Sequence, residues 1–180
     1  MKTGTAALFL ALCLLFGTAA QAEFYVSAGA GKTFNTGTAW RNGEKSDFDN
    51  SNTYSVAVGY DLPFIDIIRV EGEYLHNRAK IEHGGKATYD GVMANGYVDI
   101  PFPVPLFTPY VGIGLGPGRY EGEYVLGYQG MVGIDAEVFV IPLVASLEYR
   151  YMQTNRHGER HDETYKFYAH TVMMKLRYEF

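Results

Sequence analysis

Apolar and polar residues alternate along the last stretch of the chain. Val172, Met174, Leu176, Tyr178 and Phe180 share one parity, and Thr171, Met173, Lys175, Arg177 and Glu179 share the other. A period of two marks a β-strand whose two faces meet different surroundings. The same pattern recurs over 24–31, 54–61, 68–74, 92–100, 110–116, 131–138 and 145–151, so eight strands are predicted. One parity is apolar and aromatic, as in Val56, Val70, Val98, Ile113, Ile134 and Leu147. The other is polar or glycine, as in Ser55, Glu71, Asn95, Gly112, Asp135 and Glu148.

The connections follow a pattern of their own. Those at 62–65, 101–107 and 140–142 are short or proline-rich, whereas those after the first, third, fifth and seventh strands are mostly longer and polar, above all 32–52 and 155–166. Short turns at one end and long polar loops at the other describe an antiparallel up-and-down barrel in an outer membrane, with both termini in the periplasm. A soluble eight-stranded barrel alternates in the same way but points its apolar face inward. Two features favour the membrane. Tyr54, Tyr60, Tyr74, Tyr149, Tyr151 and Tyr178 lie on the apolar parity near strand ends, as interfacial girdles do. The chain also stops at the strand-terminal Phe180. Because the barrel runs to that residue, a following peptidoglycan-binding domain is not expected.

The N-terminus changes the compartment. Lys2, an apolar run over 6–16 and the small-residue ending Ala20-Gln21-Ala22 read as a secretory signal, predicting a cleaved leader at 1–22 and a barrel domain at 23–180. The run is short for a membrane anchor. Cys13 does not suit a lipoprotein acylation site, since Leu12 precedes it and Leu14-Leu15-Phe16 continue the apolar run. Cys13 is the sole cysteine, so the exported chain has no disulfide and no thiolate site, which suits a bacterial envelope protein. The 180 residues carry a formal charge of −5, which leaves no footprint for nucleic acid. Hydrophobic residues at 47% exclude a disordered chain, and 21 Gly with 15 Tyr favour strands and turns.

Most candidate chemistry fails on inspection. The span 100–118 has no charge before Arg119, yet Pro101, Pro103, Pro105, Pro109 and Pro117 bar a membrane helix, leaving a proline turn and then a strand. Gly29-Ala-Gly-Lys-Thr33 has Val26 where a phosphate loop needs glycine. Gly112, Gly114, Gly116 and Gly118 miss the dinucleotide fingerprint at Pro117. Their spacing puts them on one strand face, where glycine leaves room for a bulky neighbour or permits bending. His157 and His161 stand four apart among Glu159, Asp162 and Glu163, but Gly158 and the polar run read as a loop, so neither a metal nor a cofactor is expected. His170 shares the outward parity near a loop end, which suits an interfacial histidine. Ser55 and Ser146 are inward and lack an inward histidine partner, whereas a lipid-modifying enzyme needs a nucleophile and base facing lipid or a cleft.

Several motifs recur in a set order: Val70-Glu-Gly-Glu-Tyr74, Met93-Ala-Asn-Gly-Tyr97, Thr108-Pro-Tyr-Val-Gly-Ile-Gly-Leu-Gly116, Tyr128-Gln-Gly-Met-Val-Gly133, Leu147-Glu-Tyr-Arg-Tyr151 and the terminal His170 to Phe180. In that order the chain resembles the small OmpA-like outer-membrane β-barrel surface proteins of Gram-negative bacteria, a group that includes the opacity-type and Msp4-type surface antigens. The resemblance implies a lipid environment, passage through periplasmic chaperones, and a barrel-insertion machinery that reads Met174, Leu176, Tyr178 and Phe180 as a C-terminal signal.

The lumen is the most informative constellation. Eight strands enclose a space that side chains can fill. Arg69, Arg150, Lys175 and Arg177 lie on the inward parity with Glu71, Glu73, Asp135, Glu137 and Glu148, and charges withdrawn from water need partners. Two readings stay open. One is a structural ion-pair network, and the other is a gate in which partners exchange, helped by space that the inward glycines Gly29, Gly59, Gly112, Gly114 and Gly133 leave for water. The expected role is structural or surface-recognition rather than enzymatic, with a small passive channel as the alternative. Any extracellular ligand would meet the loops at 32–52 and 155–166, where Phe34, Trp40 and Phe48 offer aromatic contacts or rest on lipid headgroups.

Overall fold

The computed structural model describes residues 24–35, 39–41, 44–46, 51–63, 65, 67–80, 86–104, 106–120, 123–138, 141–155 and 167–180. The leader expected at 1–22 lies outside them. Eight strands form the barrel: β1 Phe24–Asn35, β2 Ser51–Asp61, β3 Ile68–Lys80, β4 Lys86–Asp99, β5 Phe107–Tyr120, β6 Glu123–Val138, β7 Leu143–Asn155 and β8 Phe167–Glu179. Each pairs antiparallel with its sequence neighbours, and β1 pairs with β8 to close the barrel. Closure removes the sheet edge, so backbone polar groups are paired without water, as a membrane requires.

The strand edges depart from the alternation-based expectation in three places. Residues 32–35 and 51–52 are strand, so the first outer connection spans only 36–50, and it contains a hairpin of Ala39–Arg41 with Glu44–Ser46. Because β3 to β6 run well beyond their apolar segments, the connections at 81–85 and 121–122 are short, unlike those at 36–50 and 156–166. Finally, β5 begins at Phe107 and takes in both Pro109 and Pro117. Proline has no amide hydrogen to give a ladder. Accordingly the β4–β5 pairing runs through Gly91 with Gly118 and resumes at Ala94 with Leu115, skipping the step where Val92 would face Pro117.

Burial decides which face is inside. On β2 every inward residue from Ser51 to Gly59 is buried, and the outward ones from Asn52 to Val58 are exposed. Outward Ile113 is 76% exposed and Met174 72%, whereas inward Glu73 is 0% and Arg150 1% exposed. A soluble barrel would show the reverse. An apolar exterior around a charged interior needs a hydrocarbon solvent. Aromatic residues band the wall at both ends: Phe24, Tyr60, Phe107 and Tyr178 near the termini, and Tyr54, Tyr128, Tyr151 and Tyr168 near the opposite rim.

Candidate functional site

The inward side chains form three tiers between the periplasmic and outer rims. The middle tier centres on Arg150 of β7. Its Nη1 and Nη2 donate to Oε2 and Oε1 of Glu73 on β3, each at 2.9 Å. Its Nε and Nη2 also donate to Oε1 of Glu148, at 3.1 and 2.7 Å. Glu73 further accepts from Asn95 at 2.9 Å and Gln129 at 3.2 Å, and Glu148 accepts from Tyr110 at 3.0 Å. Lys175 approaches Glu71 at 3.3 Å and Glu148 at 3.9 Å. Glu71 also accepts from the Tyr97 hydroxyl at 3.2 Å. Three carboxylates thus share two cations, and neutral donors satisfy the remaining lone pairs, as buried ions require.

The periplasmic tier is built on two further arginines. Arg69 donates to Asp99 through Nε at 3.1 Å and Nη2 at 2.7 Å, and it reaches Asp135 at 3.4 Å. Its guanidinium lies 5.1 Å from the Tyr97 ring centre and 5.0 Å from that of Tyr110. Arg177 meets Asp135 at 3.1 Å and Glu179 at 3.0 Å, with its guanidinium 5.1 Å from the Tyr25 ring centre. Asp99, Glu179 and the inward tyrosines join this network in addition to the residues that the sequence predicts for it. Their parity in the sequence is that of the inward charges.

The outer tier is neutral. Thr33 is hydrogen-bonded to Thr53 and Thr171, and Asn77 donates to Thr33 at 3.0 Å and to Thr53 at 2.8 Å. Beside this polar knot, Leu75, Tyr89, Val125, Met152 and Ala169 form an apolar cluster, each at most 7% exposed.

Inward glycines receive tyrosine rings. A methyl group at Gly59 would strike the Tyr25 ring, one at Gly112 the Tyr97 ring, and one at Gly133 the Tyr110 ring. Tyr89 lies against Gly91, Gly118 and Gly127 in the same way. This corrects the expectation of water-filled space at Gly59, Gly112 and Gly133. The volume those residues lack is occupied by rings from neighbouring strands, while Gly29 faces Lys175, Ser55 and Met173, and Gly114 faces Asn95 and Gln129.

Other singled-out residues fall elsewhere. Glu137 is exposed at the end of β6 and takes no part in the ion pairs among the described residues. Beyond it the wall ends, so its carboxylate reaches water instead of a partner. Phe34 is on the outward face of β1, 47% exposed, and belongs to the wall rather than to a loop. Trp40 is in the short hairpin, and Phe48, His157 and His161 lie outside the described residues. His170 faces outward, its Nδ1 2.6 Å from the Tyr149 hydroxyl. Met174, Leu176 and Tyr178 line the outer face of β8, and the Phe180 amide donates to the Phe24 carbonyl at 3.2 Å. Ser55 and Ser146 are buried in the lumen, away from lipid.

Residues 5–180 match the family described as outer membrane protein beta-barrel domain. Among solved structures, the chain is similar to Neisserial surface protein A, with 15% identity, a TM-score of 0.71, and 90% of this chain and 100% of that chain covered. It is also similar to Ail, the attachment invasion locus protein of Yersinia pestis, at 16% identity and a TM-score of 0.56, covering 89% and 100%. OprG from Pseudomonas aeruginosa follows at 14% identity and a TM-score of 0.55, covering 89% and 97%. No curated protein sequence matches the chain. At these identities the solved structures speak for the fold alone, and it is the family match, with the apolar wall, that places the protein in the Gram-negative outer membrane. The chain belongs to the outer-membrane β-barrel family.

Proposed function

We propose that this protein is a plugged outer-membrane barrel with a structural or surface-recognition role, whose filled lumen supports an outer rim that displays the connections at 36–50 and 156–166. One observation carries the reading: Arg150 meets both Glu73 and Glu148 in the mid-lumen at 2.7–3.1 Å, and all three are almost wholly buried. A side-chain core of this kind is a support, not a passage. In this reading Arg69, Lys175, Arg177, Glu71 and Asp135 complete the plug. Trp40 and Phe48 supply contact surface for an extracellular ligand. Met174, Leu176, Tyr178 and Phe180 present the insertion machinery with its signal after periplasmic chaperones have delivered the chain.

The test is conductance of the purified, refolded protein in planar bilayers, beside an Arg150→Ala variant. The plugged reading expects a silent wild type. Steady wild-type openings that change with Arg150→Ala would overturn it in favour of a small channel gated by the lumen charges. Trimming the loops with protease on intact cells then separates the two roles, since recognition is lost with the loops and conductance is not.

A further inference from the structure

The turns at the periplasmic end are apolar, whereas turns in water are ordinarily built from Gly, Asn, Asp and Ser. Ile65 in the β2–β3 turn, Phe102 and Val104 in the β4–β5 turn and Ile141 in the β6–β7 turn are all exposed. They stand beyond the girdle residues Tyr60, Phe107 and Tyr178, past the end of the hydrocarbon-facing wall. Backbone hydrogen bonds hold each turn in place. The Ile65 amide donates to the Leu62 carbonyl at 3.0 Å, Phe107 to Val104 at 3.1 Å, and Ile141 to Val138 at 3.1 Å. An exposed apolar patch marks a contact surface, and one that is already fixed loses little entropy when it is covered.

The same end is acidic. Among the described residues, inward Asp61, Asp99, Asp135, Glu137 and Glu179 stand against Arg69 and Arg177, a formal charge of −3. Arg69 is taken by Asp99 and Asp135, and Arg177 by Asp135 and Glu179. Glu137 is exposed and forms no ion pair among the described residues, and Asp61 Oδ1 is buried without a hydrogen-bond donor among them. A cleft of about 410 Å³ joins the two features beside the β6–β7 turn. Val138, Ile141, Pro142 and Leu143 form its apolar side, and Glu137 and Glu179 its charged side. The Glu179 amide donates to the Pro142 carbonyl at 3.0 Å, tying this turn to β8. The Glu137 amide donates to the Leu106 carbonyl at 3.2 Å, which brings the β4–β5 turn to the same rim.

An occupant of this cleft needs a cation for the carboxylates and an apolar group beside it. The apolar surface continues over neighbouring turns, farther than a small amine extends. We propose that the periplasmic face docks a basic, apolar peptide segment of a periplasmic protein. A Lys or Arg enters the cleft to meet Glu137 and Glu179, and its apolar neighbours lie on Ile141 and Phe102. Charge complementarity selects this occupant, because the same acids repel anionic lipid headgroups. The proposal is separate from whatever the outer loops bind and from whether the lumen conducts.

The test uses the refolded protein in phosphatidylcholine nanodiscs and a fluorescent hexapeptide of alternating arginine and leucine, read by anisotropy against empty nanodiscs. The protein should retain the peptide well above the empty discs, and added salt should weaken the binding. Glu137→Gln with Glu179→Gln should weaken it by about tenfold, as expected for two partly exposed carboxylates. Ile141→Ser, which keeps both carboxylates, should weaken it as well, and so should replacing the peptide's leucines with serine. Heat-modifiable gel mobility checks that each variant is folded. Equal binding by the double variant, or equal binding of a glutamate–leucine hexapeptide, would overturn the charged cleft. If Ile141→Ser leaves peptide binding unchanged but slows insertion into vesicles, the turns serve the inner-leaflet surface and the docking site is refuted.

Discussion

Arg150 holds Glu73 from the opposite side of the barrel, two guanidinium nitrogens meeting two carboxylate oxygens at 2.9 Å each. In the closed strand order β7 and β3 stand across the lumen from one another. This pair therefore braces the wall along a diameter, and Glu148 completes the guanidinium's shell from its own strand.

Arg150→Ala leaves Glu73 and Glu148 buried without their main cation. Breaking a buried pair from one side destabilises by about 3–5 kcal/mol. Urea unfolding of the protein in lipid vesicles should show that loss. Adding Glu73→Gln and Glu148→Gln to Arg150→Met should recover most of it, because no uncompensated charge remains. A triple variant as unstable as Arg150→Ala would show that the charge was not the cause.

The tyrosine–glycine packing separates two classes of glycine. Gly59→Ala drives a methyl group into the Tyr25 ring, and such overpacking costs about 1–3 kcal/mol. Gly130→Ala points to open space on the outer face, with nothing within 4 Å, and should be neutral or slightly stabilising. Tyr25→Leu should relieve Gly59→Ala in a double-mutant cycle. The idea fails if the two glycine variants unfold at the same urea concentration.

Depth along the wall sets the sensitivity to charge. Ile113, mid-strand on β5, faces the hydrocarbon, so Ile113→Arg should destabilise by about 2–4 kcal/mol. Phe24, at the start of β1 beside Tyr60, lies in the girdle, and Phe24→Arg should lose only about 0–1 kcal/mol of membrane-transfer energy, apart from its ring contact. Parallel refolding titrations in vesicles of one thickness compare them directly. Equal losses would contradict a membrane-crossing wall.

The C-terminal strand tests assembly separately from stability. Phe180→Ser removes the end of the outward run Met174, Leu176 and Tyr178 and one ring contact, Tyr178 with Phe180 at 5.4 Å. Refolding into vesicles should be almost unchanged. Accumulation in the outer membrane of living cells should fall several-fold. If yield in cells is unchanged, these residues are not an insertion signal.

Strand identity and facing were legible in the residue order. A pleated strand turns successive side chains to opposite sides, so a period of two in Val172 to Phe180 or Tyr54 to Asp61 already separates two faces. That Arg69, Glu71, Glu73, Asp135, Glu148, Arg150, Lys175 and Arg177 share one face followed from parity alone. The strand ends did not, because alternation fades where both faces become polar. Phe34 therefore reads as a loop residue, and Pro109 and Pro117 read as lying outside β5 because proline has no amide hydrogen for a ladder.

Parity names a face but not a neighbour. That the apolar face is the outer one, that Arg150 meets Glu73 while Arg69 turns to Asp99, and that Tyr25, Tyr97 and Tyr110 fill the space above Gly59, Gly112 and Gly133 were decided only when β1 paired with β8. Closure fixes the register around the barrel, and the register sets the height of every inward side chain. Residues far apart in the chain become partners across a lumen narrow enough for each long side chain to reach the other wall.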